Sequence, residues 1–509
     1  MKQWTRKRKL TLNTVTSLLY QITAIVCGFI LPRLFLTHYG SAVNGLVSSI
    51  TQFLGFISLC ELGVGSVVQS ALYKPLANND ERSISEIVKS AENFFRKIAI
   101  ILLIYTIALM GFYPLITIGE FDYLYTLVLI FVISISTFAQ YYFGITYKLL
   151  LNADQLGFIN YSVHIITLIL NTLVCIVLMK HNASIQIVKL STSLIFLIQP
   201  LTLAFAAKRR YRIDRKIELH GEPIKQKWNG LAQHIAAVIL NNTDTVVLTL
   251  FSTLENVSIY AVYYLVVNGV KQIVTSLTSG IQAMFGNMLA KGETDTLNKS
   301  FQIFEWLLHT TVTLVFSITG ALVVPFVRVY TSSVNDANYI VPLFAILITF
   351  AQASYCLRLP YNIMVLAAGH YKQTQWSAIT EAVLNVVVSI VLVFKFGLIG
   401  VAIGTLVAML YRTVYFALYL SKHIIFRNIK YFIKQLVIDF ITVLVFVGET
   451  NFLHDFLQLG RTTYTSWVIL AIKVGFIFLI TIILINAIFY NKVMIAGIGS
   501  IRKKFLKRG

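Results

Sequence analysis

The chain has 509 residues, of which 57% are hydrophobic and 12% are charged, and its formal net charge is +21. This composition excludes an ordinary soluble domain, in which about a quarter of the residues are charged. A charge of +21 would suggest nucleic-acid binding in a soluble protein, but here the basic residues lie in short segments between long apolar stretches. The composition therefore predicts a membrane protein that does not bind nucleic acid.

Fourteen apolar stretches are long enough to cross a bilayer, because a crossing helix needs about 20 apolar residues. Helices are favoured because backbone polar groups in lipid must be satisfied within the segment. We therefore predict an all-α polytopic membrane protein with 14 transmembrane helices. The predicted spans are 12–36, 43–72, 93–113, 122–149, 158–179, 185–207, 229–251, 257–290, 301–325, 338–361, 375–395, 398–420, 432–452 and 467–490. Span eight is too long for one crossing, and we expect it to project from the membrane or to bend near Gly280 or Gly286.

The basic residues predict the orientation of these spans. Alternate connections, beginning with the N-terminal segment, contain 33 of the 42 Lys and Arg residues. Lys and Arg are retained on the cytoplasmic side of a membrane. Both termini are therefore predicted to be cytoplasmic.

A weak internal repeat predicts two lobes. Residues 44–46, at the entry to span two, and residues 260–262, at the entry to span eight, are 216 positions apart, and the same offset relates 150–153 to 366–369. Because six spans separate the repeats, they have parallel topology. We predict two pseudo-twofold-related six-helix lobes and a C-terminal helix pair. The predicted domains are the N-terminal lobe 1–207, a cytoplasmic linker 208–228, the C-terminal lobe 229–420, and the last two spans with a basic cytoplasmic tail, 421–509.

Polar side chains inside spans indicate where function resides, since a charge within the membrane faces a cavity or a partner. Spans two and eight each carry a polar stripe at helical spacing, containing Glu61 in the first and Lys271 in the second. The candidates to line a substrate cavity are Lys271, Glu61, Asn268, Gln52, Asp244, Asn241, Arg33, Arg358 and Arg412. The acids that could bind a coupling ion are Glu61, Asp244 and Glu381.

Each of these candidates has a structural alternative. Small polar residues also pack helices closely and bond across them. An antiparallel hairpin of spans eleven and twelve would place Glu381 beside Arg412 as a structural ion pair. Arg33 lies near a helix end, from which its side chain can reach the membrane surface. Cys27, Cys60, Cys175 and Cys356 fall within spans and are expected to be small core residues.

Several short motifs occur in the order and spacing of the spans. They are 38–40 with 44–46, 61–65, 151–155, 241–244, 259–263, and Asn385 with 396–400. With these motifs the chain resembles the polysaccharide (O-antigen or capsule repeat-unit, Wzx-type) flippases of the multidrug, oligosaccharidyl-lipid and polysaccharide (MOP) exporter superfamily.

The resemblance implies a multi-pass transporter in a bacterial cytoplasmic membrane. It would move an isoprenoid-pyrophosphate-linked oligosaccharide between leaflets by alternating access, for capsule, exopolysaccharide or O-antigen export. Membrane lipids, a polysaccharide polymerase and glycosyltransferases are the implied partners. The diphosphate would need cationic partners, which Lys271 with Arg33, Arg358 or Arg412 would supply.

Two other functions are retained as alternatives. One is a cation-coupled multidrug or metabolite antiporter of the same superfamily, although such exporters commonly carry an acid in the first span, where this chain has Arg33. The other is a membrane enzyme of lipid-linked sugar polymerisation. The sequence contains no phosphate-binding loop and no metal-ligand or catalytic motif. No cofactor is therefore predicted, and coupling to H⁺ or Na⁺ is unassigned.

Overall fold

The computed structural model describes residues 6–61, 64–214, 217, 231–278, 281–491 and 493–495. Every regular element in this part of the chain is a helix. Thirteen of the helical segments described are long and apolar enough to cross a membrane. The chain is therefore an all-α polytopic membrane protein. Most of the predicted linker 208–228 and the end of the basic tail lie outside the described residues.

The first of the thirteen segments contains predicted span one and most of predicted span two, whose last residues lie in the helix Val64–Asn78. It runs from Thr11 to Glu61, 51 residues, which at 1.5 Å per residue is about 76 Å, more than twice the thickness of a hydrocarbon core of about 30 Å. Gly40 breaks the helix with φ 85° and ψ 174°, a conformation that suits glycine. Each of the other twelve segments overlaps one predicted span, and fourteen crossings remain a prediction.

Contacts between helices divide the chain into two compact units, 1–246 and 247–509. The helices of unit 1 are α1 (Arg6–Gly55), a 3-10 helix (Phe56–Glu61), α2 (Val64–Asn78), α3 (Glu81–Ile116), α4 (Tyr123–Ala139), a π-helix (Gln140–Gly144), α5 (Ile145–Ala153), α6 (Gly157–Lys180), α7 (Ile185–Phe196) and α8 (Ile198–Arg210). The boundary lies within α9 (Leu231–Phe251). The predicted lobe division at 208–228 remains a prediction.

Unit 2 is also entirely helical in its described residues. Its helices are α10 (Leu254–Leu277), α11 (Ile281–Ala290), α12 (Thr294–Tyr330), α13 (Pro342–Leu357), α14 (Leu359–Ala367), α15 (Gln375–Phe396), α16 (Leu398–His423), α17 (Lys430–Phe452) and α18 (Tyr464–Phe489). Predicted span eight therefore corresponds to two helices, α10 and α11. They end and begin on either side of Gly280, which lies outside the described residues, while Gly286 lies within α11.

The 216-residue offset recurs in the helix bounds. Helix α6 ends at Lys180, and α15 ends 216 residues later at Phe396. The internal repeat and the two lobes that it implies stay predictions.

The last two helices pack on α12 within unit 2. Phe446 of α17 stacks on Phe478 of α18, with 4.0 Å between ring centroids. Both side chains belong to a buried cluster with Leu322 of α12. Tight side-chain packing thus holds the C-terminal helix pair. In lipid, packing rather than the hydrophobic effect drives the association of helices, because the lipid tails are themselves apolar.

Candidate functional site

The hairpin of α15 and α16 organises the predicted site residues of unit 2. Gly397 joins the two helices with φ 54°, a left-handed conformation that glycine adopts without steric cost. A Cβ atom at Gly400 would lie 2.4 Å from Leu392 O. Gly400 and Gly404 have the G-x-x-x-G spacing that allows transmembrane helix backbones to approach closely. The glycines therefore fix the register of the hairpin.

This register brings Glu381 and Arg412 together. The two residues are almost equally distant along the chain from Gly397, and Arg412 donates a hydrogen bond from Nη1 to Glu381 Oε2. Arg358, at the junction of α13 and α14, donates from Nη1 to Glu381 Oε1. The ion pair predicted across the hairpin is present, and Arg358 is a second arginine that binds the same carboxylate. Glu381 is fully buried, and the two arginines are 5% and 6% exposed.

The ring of Tyr355 lies between Lys271 and the triad of Glu381, Arg358 and Arg412. Lys271 Nζ is 4.9 Å from the ring centroid of Tyr355, and Arg358 Cζ is 4.3 Å from the same centroid. Lys271 Nζ also lies 5.8 Å from the ring centroid of Tyr264. Cations are attracted to the faces of aromatic rings. Among the described residues, Lys271 contacts no carboxylate that could form an ion pair with it.

We call Lys271, Tyr355, Arg358, Glu381 and Arg412 the cationic cluster. It contains three basic side chains and one carboxylate, so its formal charge is positive. Asn268, one turn before Lys271 on α10, is half-buried like Lys271 itself. Removing charged groups from water is costly unless each charge has a partner of opposite sign. In this cluster the basic groups outnumber the carboxylate, so an anion can bind to the excess positive charge. Tyr355 is the member that the sequence analysis did not identify.

The predicted site residues of unit 1 occupy separate positions. Glu61, at the end of the 3-10 helix, accepts a hydrogen bond from the hydroxyl of Tyr141 in the π-helix. A π-helical turn is often found at functional sites. Gln52 and Arg33 are half-buried on α1. Their side chains therefore retain some access from outside unit 1.

Helix α9 supplies the other candidates of unit 1. Asp244 is 3% exposed, whereas Asn241 is exposed. His234 Nε2 lies 2.8 Å from Ser58 O, and a Cβ atom at Gly55 would lie 2.7 Å from the Asn242 side-chain oxygen. The first part of α9 therefore packs on the polar stripe of predicted span two, and Gly55 in that stripe has a packing role.

A second buried polar group in unit 2 was missed by the sequence analysis. His309 Nδ1 lies 2.6 Å from Asp439 Oδ2, and His309 Nε2 lies 3.0 Å from the Tyr361 hydroxyl. Tyr361 donates to Glu305 Oε1 over 2.8 Å, and Arg427 donates to both oxygens of Glu305 over 2.6 and 2.7 Å. Glu305 and His309 are one turn apart within predicted span nine. Two ionisable residues in one span were the signal that would have identified them.

Groups of three or more His, Cys, Asp or Glu side chains able to hold a metal ion are absent from the described residues. The four cysteines are free thiols; Cys27, Cys175 and Cys356 are buried and Cys60 is half-buried. Their positions fit the small core residues expected from the sequence.

No protein-family model and no curated protein matches the chain. Among solved structures, the chain is similar to the lipid II flippase MurJ in an inward closed conformation, with a TM-score of 0.64 and 15% identity over 95% of this chain and all of that one. It is similar to an inward-facing multidrug resistance MATE family transporter of the MOP superfamily, with a TM-score of 0.55 and 16% identity over 78% of this chain and 95% of that one. The eukaryotic MATE transporter AtDTX14 matches with a TM-score of 0.51 and 15% identity, covering 86% and 96%.

The chain therefore has the fold of MOP-superfamily transporters. These three structural neighbours are a flippase and transporters, not enzymes. The similarity to MurJ extends over almost the whole of both chains. An enzyme of lipid-linked sugar polymerisation, one of the alternatives above, gains no support from these comparisons.

Proposed function

We propose that this protein is a flippase that moves an isoprenoid-pyrophosphate-linked oligosaccharide across a bacterial cytoplasmic membrane by alternating access. The oligosaccharide would be the repeat unit of a capsule, an exopolysaccharide or an O-antigen. The observation that carries the proposal is the cationic cluster, whose positive charge lies within membrane-spanning helices. The two predicted six-helix lobes with their C-terminal helix pair are part of the same proposal.

A diphosphate is the part of this substrate that the cationic cluster would bind. Arginine presents a planar fork of donors that matches phosphate oxygens, and lysine adds a compact charge. Arg358 and Arg412 are already oriented by Glu381, so little side-chain entropy is lost when they bind an anion. Lys271, free of a carboxylate partner among the described residues, is the side chain that can turn to the substrate at least cost.

The sugars would bind to amide and aromatic side chains. Asn268 can both donate and accept hydrogen bonds, and Tyr264 and Tyr355 offer ring faces with polar tips. In unit 1, Gln52 and Asn241 offer similar amides. The lipid tail would remain in the hydrocarbon of the bilayer during transport, so its movement between leaflets would carry no cost of exposure to water.

The sign of the charge separates this proposal from its main alternative. A cation-coupled multidrug or metabolite antiporter shares the fold, but a positive cluster repels the organic cations that many such transporters would export. The match to MurJ also covers more of this chain, 95% against 78% for the inward-facing MATE transporter. Both observations favour an anionic, lipid-linked substrate.

Lys271→Ala tests the proposal. The purified protein is reconstituted in vesicles with a fluorescent isoprenoid-pyrophosphate-linked oligosaccharide, and transfer between leaflets is measured. We expect Lys271→Ala to slow transfer by about tenfold or more, as expected for a charge-assisted contact of about 1.5–3 kcal/mol. Lys422→Ala, at the last turn of α16 outside the cluster, is the matched control and should transfer the lipid at the wild-type rate.

The same vesicles distinguish the alternatives. Transfer of the oligosaccharide lipid without uptake of a cationic dye supports the flippase. Dye transport that Lys271→Ala leaves unchanged, with no transfer of the lipid, would establish the antiporter instead. In cells, loss of the gene should cause lipid-linked repeat units to accumulate on the cytoplasmic face.

The sequence leaves the coupling ion unassigned, and Glu61, Asp244 and Glu381, the acids that could bind it, are proposed as candidates only. Glu381 is the weakest of the three, because both of its oxygens are held by arginines. Glu61 and Asp244 are tested by Glu61→Gln and Asp244→Asn. If both variants kept the wild-type dependence of transfer on pH and Na⁺, neither acid would bind the coupling ion.

A further inference from the structure

We propose that His309 and Asp439 form a binding site for one proton, and that loss of this proton redirects the hydrogen bond of Tyr361. A role for this proton site in transport rests on the function proposed above. The site joins three helices of unit 2: α12 carries His309, α14 carries Tyr361 and α17 carries Asp439. His309 is fully buried, so its ring can exchange hydrogen bonds only with the groups around it.

The hydrogen bonds require a proton at this site. Tyr361 has one hydroxyl hydrogen, which it donates to Glu305, so its oxygen must accept the hydrogen bond from His309 Nε2. The other ring nitrogen, Nδ1, lies 2.6 Å from Asp439 Oδ2, and at this distance a hydrogen must lie between the two atoms. The pair therefore holds one proton more than a neutral histidine beside an aspartate.

Loss of that proton changes one specific bond. Neutral His309 would keep its remaining hydrogen on Nδ1, facing Asp439, because the carboxylate can only accept. Nε2 would then become an acceptor, and the Tyr361 hydroxyl would turn from Glu305 to His309. Glu305 would retain its two bonds from Arg427. The hydroxyl of Tyr361 thus has two arrangements, selected by the proton.

The charges of the group favour the protonated state. With the proton bound, Glu305 is balanced by Arg427 and Asp439 by His309. Without it, the negative charge of Asp439 is left with two neutral donors, His309 Nδ1 and the hydroxyl of Thr313, which is 3.0 Å away. The other ionisable groups near the site are Lys434 of α17, which lies 5.6 Å from the ring of Tyr490, Tyr490 itself after α18, and Tyr431, 5.2 Å from Arg427.

The site is connected to both solvent and the cationic cluster. Arg427 lies between α16 and α17 with 19% of its side chain exposed, and the bonds from Arg427 through Glu305 and Tyr361 lead to His309. Tyr361 is also one turn after Arg358 in the chain, and Asn362 N bonds to Arg358 O over 2.9 Å. A change at Tyr361 therefore acts on the short helix that positions Arg358. Coupling of this kind needs an element with two arrangements, which the Tyr361 hydroxyl provides.

The experiment measures the proton directly. The full-length protein, with ¹⁵N-labelled histidine, is placed in lipid nanodiscs, and His309 is assigned by its absence from His309→Gln. Spectra are recorded between about pH 4 and pH 9, and we expect both His309 nitrogens to carry hydrogen at the low end and Nε2 to lose its hydrogen in one step. Asp439→Asn removes the negative partner, and in this variant we expect no state with hydrogen on both nitrogens.

His454→Gln is the matched control, because His454 also lies beside an aspartate, 3.5 Å from Asp455, but is exposed. Transfer of the lipid-linked oligosaccharide is measured for each protein over the same pH range. We expect the wild type and His454→Gln to lose activity by up to about tenfold per pH unit above the His309 step, as for one required proton. His309→Gln and Asp439→Asn should show little dependence on pH.

The outcomes separate the two proposals. If the His309 nitrogens do not change across this range, or if they titrate and His309→Gln keeps the wild-type pH dependence, the inference is wrong. A one-step titration of His309 in a protein that transfers no lipid-linked oligosaccharide would support the proton site and overturn the proposed substrate. Elution of both variants as monodisperse protein verifies that the comparison is between folded molecules.

Discussion

Gly404 of α16 packs against Ser389 of α15 so closely that a Cβ atom at Gly404 would lie 2.2 Å from Ser389 Oγ and 2.7 Å from Ser389 N. No side chain fits between the two helices at this level. The approach sets the hairpin register, and the register places Glu381 beside Arg412 some turns away. A packing contact between two small residues thus determines the geometry of the cationic cluster.

Gly404→Ala is therefore expected to destabilise the protein. Added volume in a packed interior costs about 1–3 kcal/mol, and the thermal unfolding temperature in detergent should fall by several degrees. Gly475→Ala on α18 is the matched control, because nothing lies within 4 Å of a Cβ atom at that position. The control should unfold at or slightly above the wild-type temperature, since alanine favours helices. Equal melting of Gly404→Ala and wild type would mean that the hairpin is loosely packed.

Glu381→Gln should be strongly destabilising. It removes the carboxylate that two nearly buried guanidinium groups share, and breaking a buried ion pair in this way costs about 3–5 kcal/mol. Glu293→Gln, at an exposed position before α12, is the control. Combining Glu381→Gln with Arg412→Gln removes one uncompensated charge and should recover part of the loss. Thermal unfolding of the wild type, Glu381→Gln, Arg412→Gln and the double variant forms a double-mutant cycle, and additive effects would show that the pair does not interact.

Tyr355 is expected to support binding through its ring. Tyr355→Phe keeps the aromatic face between Lys271 and Arg358, whereas Tyr355→Leu removes it. Cation–π contacts contribute about 0.5–2 kcal/mol, so Tyr355→Leu should weaken binding of a lipid diphosphate by roughly 2- to 30-fold. Tyr355→Phe should bind nearly as the wild type does. Affinity is measured by titration calorimetry in nanodiscs. If Tyr355→Phe and Tyr355→Leu bound the lipid diphosphate equally well, the ring of Tyr355 would have no part in binding.

The start of α3 should depend on pH through Asp80. Its carboxylate accepts hydrogen bonds from Ser83 N over 3.1 Å and from Ser83 Oγ over 2.6 Å. These bonds, that of the Ser83 hydroxyl first, lower the pKa of Asp80 below its ordinary value. Because the folded pKa is lower than the unfolded one, about 3.9, the cap stabilises the helix fully above that value. The stabilisation is lost as the pH falls through the lowered folded pKa.

Hydrogen exchange of the backbone amides of residues 82–84 measures this effect. Wild-type protection should decrease on acidification, while Asp80→Asn, which keeps a capping oxygen without a charge, should show no such step. Asp80→Ala should be poorly protected at every pH. Protection in Asp80→Ala equal to that of the wild type at neutral pH would show that the cap is unnecessary.

Much of the fold was predictable because lipid imposes simple rules on a sequence. Apolar length located twelve of the predicted spans, because each of them overlaps a separate helical segment that is long and apolar enough to cross a membrane. The non-helical backbone at Gly40, with φ 85° and ψ 174°, falls between predicted spans one and two. Glu305 and His309 lie one turn apart in a predicted span, but their partners Arg427, Tyr361 and Asp439 come from other parts of the chain, and no local pattern relates them.

The sequence by itself determined the helical membrane class of the protein, through the length of its apolar stretches and the need of each backbone group for a partner within its own helix. It also offered the pairing of Glu381 with Arg412 as one alternative, because an antiparallel hairpin of spans eleven and twelve could place them side by side, and the structure shows that pair. Only the tertiary structure placed Arg358, Tyr355 and Lys271 beside that pair, and His309 between Tyr361 and Asp439. These contacts join residues from separate helices, and their geometry depends on how those helices pack, which no local pattern specifies.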